Sequence, residues 1–254
     1  MNCNLPPFFS FKTAKDLIRL GKNNDGGYLV SKSDVDQSDV LIGLGISDDW
    51  SFENDFSKLK KIKIFAYDAS VGLKYFFKRL RNSLINILVK PMKIIHWIKV
   101  ILNYKSFFSD SNHQHIKQFV GFNSTCKHHC SLKTVFEKTS SENIFFKIDI
   151  EGSEYRILDT LIKNQSRING LVIEFHDCDI HLDKIEQFIE LFKLNLVHIH
   201  ANNNSQIRAD DQLPLVLELT FSKHAELTNT TQLPHDLDMP NKKRRPEFQL
   251  SFSG

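Results

Sequence analysis

One fourteen-residue stretch, Phe145-Phe-Lys-Ile-Asp-Ile-Glu-Gly-Ser-Glu-Tyr-Arg-Ile-Leu158, constrains the fold more than any other. A short apolar run stops at Asp149, Glu151 and Gly152. Ile157, Leu158, Leu161 and Ile162 then recur at helical spacing, with Ser153 placed as N-cap. A strand that runs straight into a helix is the repeating unit of a parallel α/β sheet, whose ligands bind outside the carboxyl ends of the strands. Asp149 and Glu151 fall at that edge. Carboxylates there can orient a substrate hydroxyl, take its proton or hold a metal; for Glu151, capping the next helix is an equal alternative.

The rest of the chain repeats the strand–helix alternation. The pattern predicts a helix over 11–20, a glycine turn at Asn23–Gly27, and strands at Tyr28–Val30 and Val40–Gly45. A helix follows at Trp50–Leu59, capped by Asp48, Asp49 or Ser51, then strands at Ile62–Tyr67 and Ile116–Phe122. Beyond these come a helix at Leu132–Lys138, strands at Ile144–Ile148 and Gly170–Phe175, and a helix at Leu182–Phe192. Strands at Leu196–His200 and Leu215–Phe221 are joined by a loop alone, so one of them must run antiparallel. The tail from Thr228 to Gly254 is polar and reads as irregular. At 254 residues, 41% hydrophobic and 25% charged, one α/β domain with a buried core is expected over the whole chain.

Gly43-Leu-Gly45 ends the first of the parallel strands and lets a ligand approach the backbone, with a helix start just beyond. The third glycine of a dinucleotide fingerprint is missing, and Asp48, Asp49 and Glu53 would face a pyrophosphate. A sulfonium nucleoside tolerates such carboxylates better. Asp68 follows Gly45 by 23 positions and ends the next strand, where an acidic side chain accepts hydrogen bonds from ribose hydroxyls. On the fifth strand, Val172-Ile-Glu-Phe-His-Asp177 carries Glu174 and His176 toward the same edge as Asp149. A histidine beside carboxylates can serve as general base, or it can be a structural hydrogen-bonding residue. Asp149 with Glu174 also offers oxygens to a divalent cation, but nothing fixes a ligand count and no metal is assigned. Cys126-Lys-His-His-Cys130 is half a zinc site without a second cysteine pair and reads as a loop.

Charge is unevenly spread. No acidic residue lies between Asp68 and Asp110, while eight of the 33 basic residues do, leaving 25 basic against 30 acidic elsewhere. Residues 72–115 therefore read as a basic helical insertion rich in aromatic and aliphatic residues, broken at Pro91. It is expected to cap the substrate pocket, with contact to an anionic membrane surface as a secondary role. Nucleic acid is not an expected partner, because the remaining surface is acidic. Four cysteines without a regular framework, the lack of a signal-peptide pattern and the lack of a membrane-length apolar run point to the cytoplasm, or to the inner face of the membrane. Oligomeric state is not legible.

Lys147-Ile-Asp-Ile-Glu-Gly-Ser-Glu-Tyr155 closely resembles the signature of the FkbM family of S-adenosylmethionine-dependent methyltransferases. Asn24-Asp-Gly-Gly-Tyr-Leu-Val30, Gly43-Leu-Gly-Ile-Ser47 with Ser51-Phe-Glu53, His198-Ile-His-Ala-Asn-Asn203, Leu217-Glu-Leu-Thr220 and Leu237-Asp-Met-Pro-Asn241 are similar to further segments of a branch of that family. The first cofactor motif has fewer glycines than in many methyltransferases, and the basic insertion lies outside the family signature. The resemblance implies a Rossmann-like class I methyltransferase fold, a seven-stranded mostly parallel sheet with one antiparallel strand. It also implies S-adenosylmethionine as cofactor, held by Asp25, Gly26, Gly43, Gly45 and Asp68, and methyl transfer to a hydroxyl of a sugar, glycan or secondary metabolite. Asp149, Glu151, Glu174 and His176 are then the catalytic candidates. A nicotinamide-dependent oxidoreductase on a similar sheet and a non-catalytic peripheral-membrane protein are the alternatives.

Overall fold

The computed structural model describes residues 2–85, 91–123 and 126–253. Residues 86–90 of the expected insertion, Lys90 among them, lie outside the described residues. In chain order the elements begin with β1 (Asn2–Leu5), β2 (Leu17–Leu20), β3 (Tyr28–Ser31), α1 (Lys32–Gln37), β4 (Val40–Leu44), α2 (Ser51–Leu59) and β5 (Lys63–Tyr67). The middle of the chain holds α3 (Leu73–Ile85), α4 (Pro91–Phe107), β6 (His113–Ile116), β7 (Phe119–Val120), β8 (His129–Cys130), α5 (Leu132–Lys138) and β9 (Ile144–Ile148). Then follow α6 (Leu158–Lys163), β10 (Ile168–Phe175), α7 (Cys178–Leu191), β11 (Asn195–Ala201), β12 (Leu217–Ser222) and β13 (Gln249–Phe252).

Seven of these strands form one sheet in the order β11-β12-β10-β9-β4-β5-β6, with β12 antiparallel to both neighbours and the remaining pairs parallel. That order, with the single reversed strand next to last, is the Rossmann-like class I methyltransferase fold. The central strands are buried along their whole length, so both faces must be covered. Ile42, Phe146 and Ile173 pack with Phe136, Leu161 and Phe188 of α5, α6 and α7 on one face. Leu41, Phe145 and Val172 pack with Tyr28, Phe52, Phe56 and Phe76 on the other, beneath the β2–β3 hairpin and α2 to α4.

Four sequence expectations are corrected. Residues 11–20 are not helical: Leu17 to Leu20 pair antiparallel with Ser31 to Tyr28 across the glycine turn. Their apolar spacing fits both periods, and pairing with an adjacent strand decides for the hairpin; the Arg19 guanidinium then ties the turn by donating to the carbonyls of Lys22 and Asn24. The third parallel strand is His113–Ile116, inside the span assigned to the insertion, whose helices end at Phe107. The tail is mostly irregular, but Gln249–Phe252 pairs in parallel with Asn2–Leu5. Ser153 and the acidic pair at 48–49 do not cap helices as expected. The Glu154 carboxylate instead accepts from Ile150 N, and Asp49 accepts from Ser51 N.

Candidate active site

The helix after β4 crosses to one face of the sheet and the helix after β9 to the other, so a crevice opens between these two strand exits. The exits touch. Asp149 N donates to Leu44 O at 2.9 Å, and a Cβ on Gly45 would lie 1.7 Å from Asp149 O. Gly45 also sits at φ +80°, so this position admits glycine alone. Ser47 (φ 44°) and Glu151 (φ 54°) are held in the left-handed region without being glycine, and both line a cavity of about 470 Å³. Backbone strain of this kind collects where the surrounding structure fixes a ligand-facing turn.

Of the expected cofactor residues, Asp25, Gly26, Gly45 and Asp68 line this cavity, together with Asp149 and Glu151. Gly43 does not. It lies one pleat inside β4, facing α2, and its missing side chain leaves room for the Glu53 carboxyl, whose Oε1 is 2.5 Å from where a Cβ would stand. Glu53 is fully buried there, and burial pushes its pKa up to about 7 despite Lys147 nearby. Asp68 is more committed than its spacing suggested. Its Oδ2 accepts from Ile46 N (3.1 Å) and Ser47 N (2.9 Å), and its Oδ1 from Ser70 N (2.7 Å) and Oγ (2.6 Å). All four lone-pair positions are used, so Asp68 fastens the strained turn.

Glu174 and His176 stand behind the cavity rather than in its wall. Tyr28, from the β2–β3 hairpin, reaches Asp149 Oδ2 at 3.3 Å and Glu174 Oε2 at 3.1 Å. A hydroxyl has one proton to give. Burial, then the charges of Asp149 and Glu218, raise the Glu174 pKa well above the carboxylate range. The Tyr28 hydroxyl therefore donates to one of the two carboxyl groups at a time. Lys147 is fully buried with its ammonium 3.7 Å from Asp149 Oδ2 and donating to Gly45 O. Burial alone would discharge it, but Asp149, Glu53 and Glu174 outweigh that and raise its pKa.

His176 gives Nδ1 to Glu154 Oε1 at 3.2 Å, while Nε2 faces Glu151 (3.5 Å), Asp149 (3.9 Å) and Glu174 (3.9 Å). Burial lowers its pKa, but the Glu154 bond and the surrounding carboxylates prevail and push it up to about 9. At neutral pH it is an imidazolium, which departs from the general base suggested by the sequence. Asp149, Glu151 and His176 bring ligand atoms within 4.8 Å of one another and could hold a divalent ion; the raised pKa of His176 opposes this, because its proton must leave first. Behind them the polar face continues through Asn202, which donates to Glu174, to Glu218, His200 and Glu247.

Sequence reasoning missed Tyr28, Lys147 and Glu154, and it set Glu53 facing the ligand, whereas Glu53 is buried against Gly43 and does not line the cavity. Lys147 had a visible signal: a lysine inside a run of large apolar residues must find buried partners. The partners themselves come from distant segments.

No protein-family model matches the chain, and no curated protein matches it in sequence. Among solved structures it is similar to precorrin-6y C5,15-methyltransferase from Geobacter metallireducens GS-15, at 14% identity over 84% of this chain and 95% of that one, with a TM-score of 0.39. It is also similar to the Methanococcus jannaschii fibrillarin pre-rRNA processing protein (10% identity, 74% and 67% covered, TM-score 0.38). A third is M. jannaschii TYW2 in complex with AdoMet (8% identity, 78% and 83% covered, TM-score 0.35). Likeness at this level assigns no chemistry; the fold follows from the strand order itself.

Proposed function

We propose that this chain is an S-adenosylmethionine-dependent O-methyltransferase of the FkbM type, acting on a hydroxyl of a sugar, glycan or related secondary metabolite. The observation that carries the reading is the make-up of the cavity at the β4–β9 crevice. Asp25, Asp48, Asp49, Asp68, Asp149 and Glu151 line it against two lysines, Lys22 and Lys147. Such a wall favours a cationic nucleoside and opposes a pyrophosphate, which disfavours a nicotinamide dinucleotide. The volume is in the range of small-molecule sites.

In this reading Asp68 and the Gly45–Ser47 turn hold the nucleoside, and Asp25 and Gly26 close the opposite wall. The bound cofactor supplies an electrophilic methyl group. Asp149 accepts the proton of the attacking hydroxyl, with its carboxylate aimed by Tyr28 and flanked by Lys147. Glu174 holds Tyr28 from behind, and the His176 imidazolium gathers the carboxylates of Glu151 and Glu154 around the strand exit.

Calorimetry with S-adenosylmethionine, S-adenosylhomocysteine and the nicotinamide nucleotides tests the cofactor. Binding of the first two and not the last supports the reading; the reverse overturns it. Transfer of labelled methyl from S-adenosylmethionine to a panel of glycans and hydroxylated metabolites then tests the acceptor class, and methylation of amines or carbons alone would reject O-transfer.

A further inference from the structure

The α3–α4 hairpin turns an apolar, basic face outward. Among the described residues, eight of the fourteen exposed large hydrophobic residues lie on these two helices. On α4, Ile95, Ile98 and Leu102 follow one another at three and four positions and form one stripe, with Leu102 60% exposed. On α3, Phe77 and Leu84 stand two turns apart on one flank. Arg79 lies over Trp97, and the Lys105 ammonium lies 5.7 Å from the Phe77 ring centre, so the helices run antiparallel and the two stripes adjoin.

The inner faces are already used. Phe76 packs on Trp97 and Tyr104, and the polar side of α4, with His96, Lys99 and Asn103, lines a groove beside Asp48 and Asp49. What remains outside is apolar at its centre and cationic around it. No acidic residue lies on either helix, and among the described residues Lys74, Lys78, Arg81, Lys93 and Lys105 form no ion pair. The rest of the chain is net acidic, so an anionic surface would attract this face and repel the others.

We propose that this face docks on an anionic phospholipid bilayer. Phe77, Leu84, Ile95, Ile98 and Leu102 enter the headgroup region, while the lysine and arginine stems extend along the apolar surface to reach lipid phosphates. No helix among the described residues is long and apolar enough to cross a membrane, so the contact is interfacial. The inference stands apart from the cofactor assignment, since none of these residues lines the cofactor cavity.

The test is cosedimentation of the full chain with phosphatidylcholine vesicles, with and without phosphatidylglycerol, at low and high salt. Binding is expected to need phosphatidylglycerol and to fall as salt rises. A Phe77→Ser, Leu102→Ser variant should lose at least about tenfold in affinity with an unchanged melting temperature. A Lys74→Gln, Lys78→Gln, Arg81→Gln variant should lose about 100-fold, at about 1 kcal/mol per cation. Wild-type affinity in both variants, or equal binding to neutral vesicles at every salt concentration, overturns the proposal. So does self-association in the ultracentrifuge, abolished by the serine variant, in a protein that ignores vesicles: the face would then join two copies of the chain.

Discussion

On the β4–β5 side of the cavity the wall is a mould made of backbone. Asp68 uses one oxygen to pin the turn after β4 and the other to hold Ser70 after β5, and Gly45 lets the first turn press against β9. On the side of β9 to β12 the same sheet edge is a cluster of ionisable groups, Lys147, Glu174, Glu218 and His200 buried and His176 half-buried. Neighbouring strands thus supply one half that recognises by shape and one half whose protonation states depend on each other. Changes in the first should act at every pH, and changes in the second should alter how the protein answers to pH.

The largest expected effect belongs to Asp149, which touches both halves. Asp149→Asn keeps the shape and removes the proton acceptor, so turnover should fall roughly 10²–10⁴-fold while S-adenosylmethionine affinity, read by calorimetry, changes far less. Near-normal turnover would return Asp149 to a structural role at the strand exit. Gly45→Ala attacks the mould. With its Cβ 1.7 Å from Asp149 O at a positive φ, it should cost about 2–4 kcal/mol in denaturant unfolding and weaken cofactor binding at every pH. A folded, binding-competent Gly45→Ala protein would mean that the two exits are not in contact.

Asp68→Ala should lose roughly 1.5–3 kcal/mol of cofactor affinity, because the turn and the ligand lose the same carboxylate. Ser70→Ala sharpens this: it frees a lone pair on Asp68 and should leave binding unchanged or tighter. A loss of affinity in Ser70→Ala as large as in Asp68→Ala would show that the serine hydroxyl, not the carboxylate, meets the ligand.

The charged half is tested by pH. His176 is raised from 6.5 to about 9, so its stabilising contribution is complete below pH 6.5 and disappears as pH rises through 9. Glu53, raised from 4.5 to about 7 by burial, has the same sign: stability is present below pH 4.5 and is lost as pH rises toward 7. The wild-type melting temperature should therefore decline from mildly acidic to alkaline pH. His176→Gln should flatten the upper part of that decline and Glu53→Gln the lower, each by on the order of 1–2 kcal/mol. Parallel curves for wild type and both variants would remove these two groups as the cause.

Most of the sheet was legible because its strands are apolar runs separated by turns, and Gly45, Asp68 and Asp149 were legible because each follows such a run. The β2 strand was not, since Leu17, Ile18 and Leu20 suit a helix as well as a hairpin until Tyr28 is beside them. The pairing of Asn2–Leu5 with Gln249–Phe252 joins residues nearly the whole chain apart, beyond the reach of any local pattern. The charged half was half legible. Glu174 and His176 could be read at a strand exit, but Glu218 and Glu154, whose charges act on them, and Tyr28, which bonds Glu174, arrive from other parts of the chain.

Asn241 is a small contact with a long reach. From the irregular tail, its side chain donates to Glu218 Oε1 at 2.7 Å and to Asp25 Oδ1 at 3.4 Å, and its carbonyl accepts from Asp25 N at 3.2 Å. A ligand gripped by Asp25 and Gly26 therefore also raises the free energy of peeling the tail from the sheet. Linkage makes the relation reciprocal: the factor by which a ligand slows opening of the tail is the factor by which a detached tail weakens the ligand. Amide exchange and proteolytic nicking over residues 228–248 become a gauge of cavity occupancy, read from a segment that contributes none of the cavity's lining.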